Sequence, residues 1–270
     1  MIVLRRYMNN NLRNYNYVIG CEDTRQAIAI DPLDADVVLA MAEAQGLSIK
    51  LIINTHEHHD HIGGNPGVKA ATGAEILAYE AARCVIPDVD RGLQAGDRVE
   101  LGSLAFNVLF TPGHTAVHLC LLSDRDSTSS GPNGEPVLFS GDTLFNAGAG
   151  KCSVPFGGDP DTLYDTFVSR FQPLADDVLL YPGHDYMKNN LAFAQTREPG
   201  NDMIQYWQDQ VSGCEPDDMP VMNLGQERSY NSFLRLNQPE IREVLLQQFP
   251  ALGLGDRDVF KALRRLRDQW

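Results

Sequence analysis

Four of the seven histidines of this chain fall within six consecutive residues, in the motif HEHHDH at residues 56–61. The motif follows the apolar run 51–53 and precedes Gly63 and Gly64. We therefore expect it in the loop that leaves a β-strand, which is where α/β folds commonly bind their ligands. Neutral imidazole is the commonest protein ligand for borderline metals, and Asp suits the harder side of zinc, iron and manganese. The motif predicts a metal site in an α/β fold.

Three later segments each place one more ligand-type residue after a strand-like run, in a turn that contains Gly. These residues are His114 in TPGHT, Asp142 in SGDT and His184 in PGHD. One ion cannot easily use so many ligands. The pattern predicts two ions, one on His56 and His58 and the other on Asp60 and His61, with further ligands from the three later turns.

Each residue also has an ordinary structural interpretation. A lone His after a strand usually makes loop hydrogen bonds, and Asp in Gly-Asp-Thr is usually a turn or N-cap residue. Their coincidence with the 56–61 motif favours metal binding, with Asp142 as a bridging ligand. His59 matches no ligand position and is predicted not to bind metal, whereas His118 is predicted to pack or hydrogen-bond behind the ligands. Asp31 either orients a ligand imidazole or is only a turn residue.

The chain divides into two sequence patterns. Up to about residue 187, short β-branched runs alternate with helical segments, which indicates an α/β domain over residues 1–187. Within it, the Ser-, Gly-, Pro- and Asn-rich stretch 123–136 predicts a long exposed loop inside a hairpin. From residue 188 strand signals vanish and the periodicity is helical, which predicts a helical domain over residues 188–270.

Composition excludes several classes of partner. The net charge of -14 and the sequence pI near 4.8 disfavour nucleic acid and anionic membranes. The five cysteines are scattered and lack CxxC spacing, so they indicate neither a disulfide framework nor a thiolate zinc site. The segment MIVLRR becomes charged before a signal-peptide core can form, and no apolar run is long enough to span a bilayer. We expect a cytoplasmic protein.

The motifs THEHHDHIGG, TPGHT, SGDT and PGHD, in this order and spacing, resemble the metallo-β-lactamase superfamily and, within it, the glyoxalase II (hydroxyacylglutathione hydrolase) family. Further motifs carry the likeness over nearly the whole chain: DTLFNAGAGK from residue 142, GHDY from 183, NNLAFA from 189, EPGN from 198, NSFLR from 231 and ALRRLRDQW from 262. The resemblance implies an αββα sandwich, in which helices flank two sheets, followed by a C-terminal helical domain that helps to bind glutathione.

The resemblance also implies residue roles. It assigns one metal ion to His56, His58 and His114, the other to Asp60, His61 and His184, and the bridging position to Asp142. Asp60 and Asp142 are the implied catalytic carboxylates. The implied glutathione contacts are Lys151, Tyr186, Arg264 and Arg267. The two divalent ions are expected to be zinc, with iron or manganese chemically acceptable.

The implied reaction is hydrolysis of an S-acylglutathione, such as S-lactoylglutathione, to glutathione and a 2-hydroxy acid, a step of methylglyoxal detoxification. One departure bears on the substrate: where the family usually places aromatic residues after Lys151, this chain has Cys152 and Ser153. The acyl group and the thiol carrier therefore stay open. The alternatives are a hydrolase of another thioester, a lactone or a phosphodiester, and a mononuclear iron enzyme similar to persulfide dioxygenases. The complete ligand set and the long helical tail argue against the iron enzyme.

The last segment of the chain has the pattern of an amphipathic helix. Apolar residues recur at helical spacing at Val259, Leu263, Leu266 and Trp270. Arg264 and Arg267 lie three residues apart, so we expect them to be neighbours on the helix surface, where their guanidinium groups suit a carboxylate. The alternative is a basic face that only contacts solvent.

Overall fold

The computed structural model describes residues 1–124, 131, 134–253 and 255–270, so most of the loop predicted at 123–136 lies outside the described residues. The chain consists of two compact units. The first, here called the sandwich unit, contains Met1–Thr111, Val117–Gly141 and Tyr181–His184. The second, here called the helical unit, contains Pro112–Ala116, Asp142–Leu180 and Asp185–Trp270.

The first sheet of the sandwich unit has six strands in chain order. They are β1 (Ile2–Tyr7), β2 (Tyr15–Gly20), β3 (Gln26–Ile30), β4 (Ser48–Ile53), β5 (Glu75–Tyr79) and β6 (Arg91–Leu93). The first three strands are antiparallel and β3 to β6 are parallel. Parallel neighbours need crossover connections, which are helix α1 (Ala35–Ala44) after β3 and, after β4, α2 (His59–Ile62) and α3 (Asn65–Thr72).

Helices α1 and α3 bury their apolar sides against this sheet. Val38 and Met41 of α1 and Val68 of α3 lie in one buried cluster with Ile52 of β4. The Asp34 side chain caps the start of α1 by accepting a hydrogen bond from the Val37 amide at 3.2 Å. The loop from β4 into α2 is therefore held between a rigid strand and a packed helical layer.

The second sheet of the sandwich unit is antiparallel from β7 to β10. Its strands are β7 (Arg98–Leu101), β8 (Leu104–Phe110), β9 (Leu119–Ser123) and β10 (Val137–Gly141). After the short hairpin of β11 (Leu144–Phe145) and β12 (Gly148–Ala149), strand β13 (Leu179–Pro182) returns beside β10. The two sheets pack face to face, because the buried Tyr17 ring lies 5.5 Å from Phe139 and its hydroxyl donates to the Pro182 carbonyl at 2.7 Å.

The helical unit has an aromatic core. Its helices are α4 (Pro160–Thr166), which continues as a π-helical turn (Phe167–Phe171), α5 (Met187–Gln195), α6 (Asp202–Val211), α7 (Leu224–Tyr230), α8 (Pro239–Gln248) and α9 (Asp256–Arg267). The Phe260 ring of α9 lies 5.1 Å from Phe167 and 5.2 Å from Phe233. This core fixes α9 against α4 and the segment after α7.

The predicted alternation of strands and helices, the hairpin of β9 and β10, and the helical C-terminal region are confirmed. The helical pattern predicted from residue 188 onward is interrupted at one place. Strand β14 (Met222–Asn223) pairs with Leu179 and Leu180 of β13, and two residues are too short to produce a periodic signal. Within the described residues, no helix is both long and apolar enough to cross a membrane.

Candidate active site

The histidine motif follows β4 as predicted, but its second half is not a loop. Residues 59–62 form the single helical turn α2, so Asp60 and His61 are held by helical geometry. The Asn54 side chain closes this turn by donating to the His61 carbonyl at 3.0 Å. The sequence did not show this turn because four residues are too few for helical periodicity.

Asp60, His61 and His184 form a triad of metal-binding side chains within the sandwich unit. The Nε2 atoms of His61 and His184 lie 3.2 Å apart, and Asp60 Oδ2 lies 3.5 Å from each of them. A tetrahedral ion with bonds of about 2.0 to 2.1 Å holds its ligand atoms roughly 3.4 Å apart. The spacing of the triad therefore fits one divalent ion.

Hydrogen bonds on the far side of these rings fix their tautomers. His184 Nδ1 lies 2.7 Å from the Leu12 carbonyl oxygen, and His61 Nδ1 lies 2.9 Å from Asp31 Oδ2. Carbonyl and carboxylate oxygens only accept, so both Nδ1 atoms carry the proton and both Nε2 atoms present lone pairs. Two lone pairs and a carboxylate that face one another at this distance are stabilised by a cation among them, so the triad also has the electronic form of a metal site.

Asp31 orients a second imidazole through Thr55. Its carboxylate accepts from the Thr55 amide at 2.7 Å and from the Thr55 hydroxyl at 2.6 Å. Because the hydroxyl proton is given to Asp31, Thr55 Oγ1 accepts from His56 Nδ1 at 3.0 Å. His56 Nε2 then presents its lone pair, 3.0 Å from His58 Nδ1. Of the two interpretations of Asp31, the structure favours the orienting one.

Asn14, which sequence reasoning missed, holds the Asp60 carboxylate. Its amide donates to Asp60 Oδ2 at 2.8 Å and to the Asp60 carbonyl at 3.2 Å. The two residues are 46 positions apart and no motif surrounds Asn14, so the sequence carried no signal for this contact.

His114 and Asp142 lie together in the helical unit. His114 Nδ1 donates to the Lys151 carbonyl at 2.7 Å, which leaves Nε2 with its lone pair, 3.5 Å from Asp142 Oδ2. The TPGHT turn requires its glycine, because Gly113 has a φ of 133° and a Cβ there would lie 2.4 Å from the Leu163 Cα. The turn thus fixes one imidazole beside one carboxylate.

The two histidines predicted not to be ligands have different surroundings. His59 is exposed on α2. His118 is buried, its Nδ1 lies 3.0 Å from Thr111 Oγ1, and its ring stacks on His56 with centroids 5.0 Å apart. His118 therefore packs behind a predicted ligand, as the sequence indicated.

Replacing His59 by Gln should leave the bound metal unchanged, because the exposed ring is predicted to hold no ion. We expect the same metal content as in the unaltered chain and a kcat within about twofold of it, as for other surface substitutions. Elemental analysis of the purified variant checks this, with His61→Gln as the matched variant that should lose metal. Loss of metal from the His59 variant would show that the ligands of the motif are assigned one position out of register.

The predicted substrate residues all lie in the helical unit. Lys151 is exposed, and Tyr186 is half-buried with its ring 5.2 Å from Phe145. Arg267 is half-buried and donates from Nε to Asn190 Oδ1 at 3.0 Å. Burial lowers the pKa of Arg267, and the nearby Arg264 charge lowers it further while Tyr186 opposes the shift. Besides Nε, Arg267 has further guanidinium donors on Nη1 and Nη2.

The alternative of a basic face that only contacts solvent does not hold for Arg264, because this side chain is only 4% exposed. Its Nη1 donates to the carbonyls of Ala149 at 2.6 Å and Gly150 at 3.0 Å, and its Nη2 pairs with Asp268 at 2.9 Å. Burial lowers the pKa of Arg264 and the Asp268 charge opposes the shift. Charge and spacing alone could not show this burial, because the carbonyl partners of Arg264 lie more than a hundred residues earlier in the chain.

Cys152, at the position where the resemblance led us to expect an aromatic residue, is half-buried. Burial raises the pKa of its thiol to about 12, although the Arg264 charge opposes the shift. The thiol is therefore neutral near pH 7 and acts as a small apolar side chain. The departure from the family pattern is one of size and polarity rather than of added reactivity.

Two family models together match almost the whole chain. The model described as metallo-beta-lactamase superfamily matches residues 14–184, and the model described as hydroxyacylglutathione hydrolase C-terminus matches residues 185–270. The first match alone spans more than half of the chain and includes all seven predicted ligands, with His184 as its last residue. These matches confirm the fold class predicted from the sequence.

Individual proteins show the same likeness. A hydroxyacylglutathione hydrolase of Polaromonas sp. is 46% identical over 273 aligned residues, which cover all of both chains. The crystal structure of ETHE1 from Myxococcus xanthus has a TM-score of 0.66 and 25% identity, and the match covers 99% of this chain and 98% of that one. The crystal structure of TTHA1623 in a di-iron-bound form has a TM-score of 0.58 and 25% identity, with coverage of 86% and 100%.

Proposed function

Because this chain belongs to the hydroxyacylglutathione hydrolase family of the metallo-β-lactamase superfamily, we propose that it hydrolyses S-acylglutathione thioesters, S-lactoylglutathione in particular. The products are glutathione and a 2-hydroxy acid, as in methylglyoxal detoxification. The observation that carries the proposal is the triad of Asp60, His61 and His184, whose spacing and tautomers fit a divalent ion. The name and full-length identity of the Polaromonas relative support the thioester substrate.

The proposed cofactor is a pair of divalent ions, zinc with iron or manganese also acceptable to this donor set. We propose that they are held by the seven residues identified in the sequence: His56, His58, Asp60, His61, His114, Asp142 and His184. The di-iron form of TTHA1623 supports the count of two. Such ions supply Lewis acidity, which would lower the pKa of a bound water to about 7 and stabilise negative charge on a carbonyl oxygen.

The chain's own contribution is to hold its ligands in place before substrate arrives. Asp31 orients His61 directly and His56 through Thr55, while the Lys151 carbonyl orients His114. Groups fixed in this way need little rearrangement during reaction, which is the main source of electrostatic catalysis. Asp60 and Asp142 are the proposed catalytic carboxylates. A separate general acid is unnecessary, because a thiol leaving group has a pKa of about 8.5 and departs readily as the thiolate.

The proposed glutathione contacts are Lys151, Tyr186, Arg264 and Arg267. Cationic side chains suit the two carboxylates of glutathione, and Arg offers a planar fork for one of them. Arg264 keeps a donor for this purpose in its Nε, which is buried and has no hydrogen-bond partner among the described residues. A helical substrate-binding domain over residues 188–270, a catalytic domain over residues 1–187 and a cytoplasmic location stay predictions.

A comparison of substrates tests the proposal. Hydrolysis of S-lactoylglutathione, of an acyl-CoA thioester and of a lactone should be measured on one preparation, with elemental analysis of the same sample. We expect the highest kcat/KM on S-lactoylglutathione and about two metal ions per chain. A preference for another thioester or for the lactone would move the proposal to a different hydrolase of this fold. Oxygen uptake with glutathione persulfide, together with one iron per chain, would favour the mononuclear iron alternative.

A further inference from the structure

One hairpin of the helical unit contacts both the predicted ligand His114 and side chains of the C-terminal region. It spans residues 142–151 and is here called the ligand hairpin, with Leu144 and Phe145 paired to Ala149 and Gly148. Both of its ends contact His114. Asp142 Oδ2 lies 3.5 Å from His114 Nε2, and the Lys151 carbonyl accepts from His114 Nδ1. The position of the hairpin therefore sets the geometry of one imidazole and one carboxylate together.

Side chains from the C-terminal part of the helical unit donate hydrogen bonds to five backbone carbonyls of this hairpin. The amide of Asn231 donates to the carbonyls of Phe145 and Gly148 at 3.3 and 3.2 Å, that of Asn190 to the Asn146 carbonyl at 2.8 Å, and Arg264 to the carbonyls of Ala149 and Gly150. Asn190 and Asn231 belong to the motifs NNLAFA and NSFLR, which contain none of the proposed metal ligands or glutathione contacts. Both motifs therefore contact the hairpin.

Glu227 of α7 is fully buried and accepts hydrogen bonds from the tip of the hairpin. Its Oε1 accepts from Asn146 Nδ2 at 3.0 Å and Tyr230 Oη at 2.6 Å, and its Oε2 accepts from the Ala147 amide at 2.8 Å and Asn231 Nδ2 at 3.0 Å. Ala147 has a φ of 56°, a backbone conformation that residues other than Gly adopt only at some energetic cost. The Glu227 carboxylate therefore binds the hairpin at a residue whose backbone is strained.

We propose that Glu227 is a positioning residue for the metal centre, because by fixing the hairpin tip it sets where Asp142 and the Lys151 carbonyl meet His114. This inference rests on the proposed function. The chemistry requires a carboxylate, since each oxygen accepts two hydrogen bonds from the four donors around it. Glutamine of the same size would turn an NH2 group toward two of those donors, so that they would lose their acceptor.

The test compares Glu227→Gln with Glu198→Gln. Glu198 is a second buried carboxylate of the helical unit, and it accepts from Arg235 Nε and Nη2 at 2.8 and 2.7 Å and from Asn201 at 2.9 Å. Both variants lose a buried acceptor and should lower Tm. We expect only Glu227→Gln to lower kcat about tenfold with KM within about twofold, and to speed metal release to EDTA about tenfold, because the loss of contacts that orient metal ligands commonly lowers metal affinity or activity by that factor or more.

Each outcome decides the inference. If both variants lose metal and kcat in proportion to their loss of Tm, or if neither does, Glu227 is only a structural residue and the inference is overturned. Should Glu227→Gln fail to fold, Asn146→Ala removes one donor from the hairpin side of the same contact and should speed metal release without a change in KM. Unaltered release in that variant overturns the inference as well. If the unaltered chain binds metal but hydrolyses no glutathione thioester, the proposed function fails, and the metal-release comparison alone still decides the role of Glu227.

Discussion

Replacing Asp142 by Ala is expected to lower kcat for S-lactoylglutathione by about a thousandfold and to reduce the bound metal at both positions. A divalent ion supplies several kcal/mol of transition-state stabilisation, and each 1.36 kcal/mol corresponds to about a factor of ten in rate. Asp142 is buried, its carboxylate lies 3.5 Å from His114 Nε2, and we propose that it bridges the two ions. Steady-state kinetics and elemental analysis of the same preparation measure both effects.

The comparison that isolates the bridge is His184→Ala. His184 belongs to the triad with Asp60 and His61, so its loss should empty mainly one position and leave the other ion bound. His59→Gln provides the control for a histidine change without loss of metal. If the Asp142 and His184 variants lose the same single ion, Asp142 is a ligand of one ion only and its assignment as the bridge is wrong.

The metal-ligand candidates could be named from the sequence because each carries its chemistry in its own residue type. Histidines in the HEHHDH pattern, and His or Asp in a Gly turn after a strand, need no knowledge of distant contacts. Asp31 shows where this reasoning ends. It lies 30 residues before His61, and its interpretation stayed open until the parallel pairing of β3 with β4 was known. The sequence identified Asp31 as a candidate, and the pairing of β3 with β4 showed that its partner is His61.

Residues that act through backbone atoms could not be predicted. The partners of Arg264 and Asn231 are carbonyl groups of the ligand hairpin. Every residue has a backbone carbonyl, so the sequence does not show which ones accept a hydrogen bond. The pattern around Arg264 left an exposed basic face open as an alternative, because helical spacing separates apolar from polar faces and says nothing about buried acceptors. Glu227 was not singled out for a different reason. Two of the four donors to its carboxylate, the Asn146 side chain and the Ala147 amide, lie 81 and 80 residues earlier in the chain, so only the fold brings them to it.

Replacing Arg267 by Ala is expected to raise KM for S-lactoylglutathione by roughly 10- to 100-fold, with kcat and metal content nearly unchanged. A charge-assisted hydrogen bond contributes about 1.5 to 3 kcal/mol, and each 1.36 kcal/mol is a factor of ten. The contact would be remote from the reacting carbon and equally strong in the ground and transition states, so its loss acts on KM. Arg267 is a cleaner test than Arg264, whose replacement would also release the hairpin carbonyls of Ala149 and Gly150.

Helix α9 offers a matched control in Arg265, which is exposed and lies over the Phe249 ring at 5.3 Å. Arg265→Ala removes the same charge from the same helix, so a general electrostatic attraction for an anionic substrate would raise KM equally in both variants. A specific contact raises KM only in Arg267→Ala. A higher salt concentration should then reduce the difference in KM between this variant and the unaltered chain only slightly, because salt weakly screens a half-buried ion pair. An unaltered KM in Arg267→Ala would mean that α9 presents only a solvated basic face, and that the thiol carrier is held elsewhere or is not glutathione.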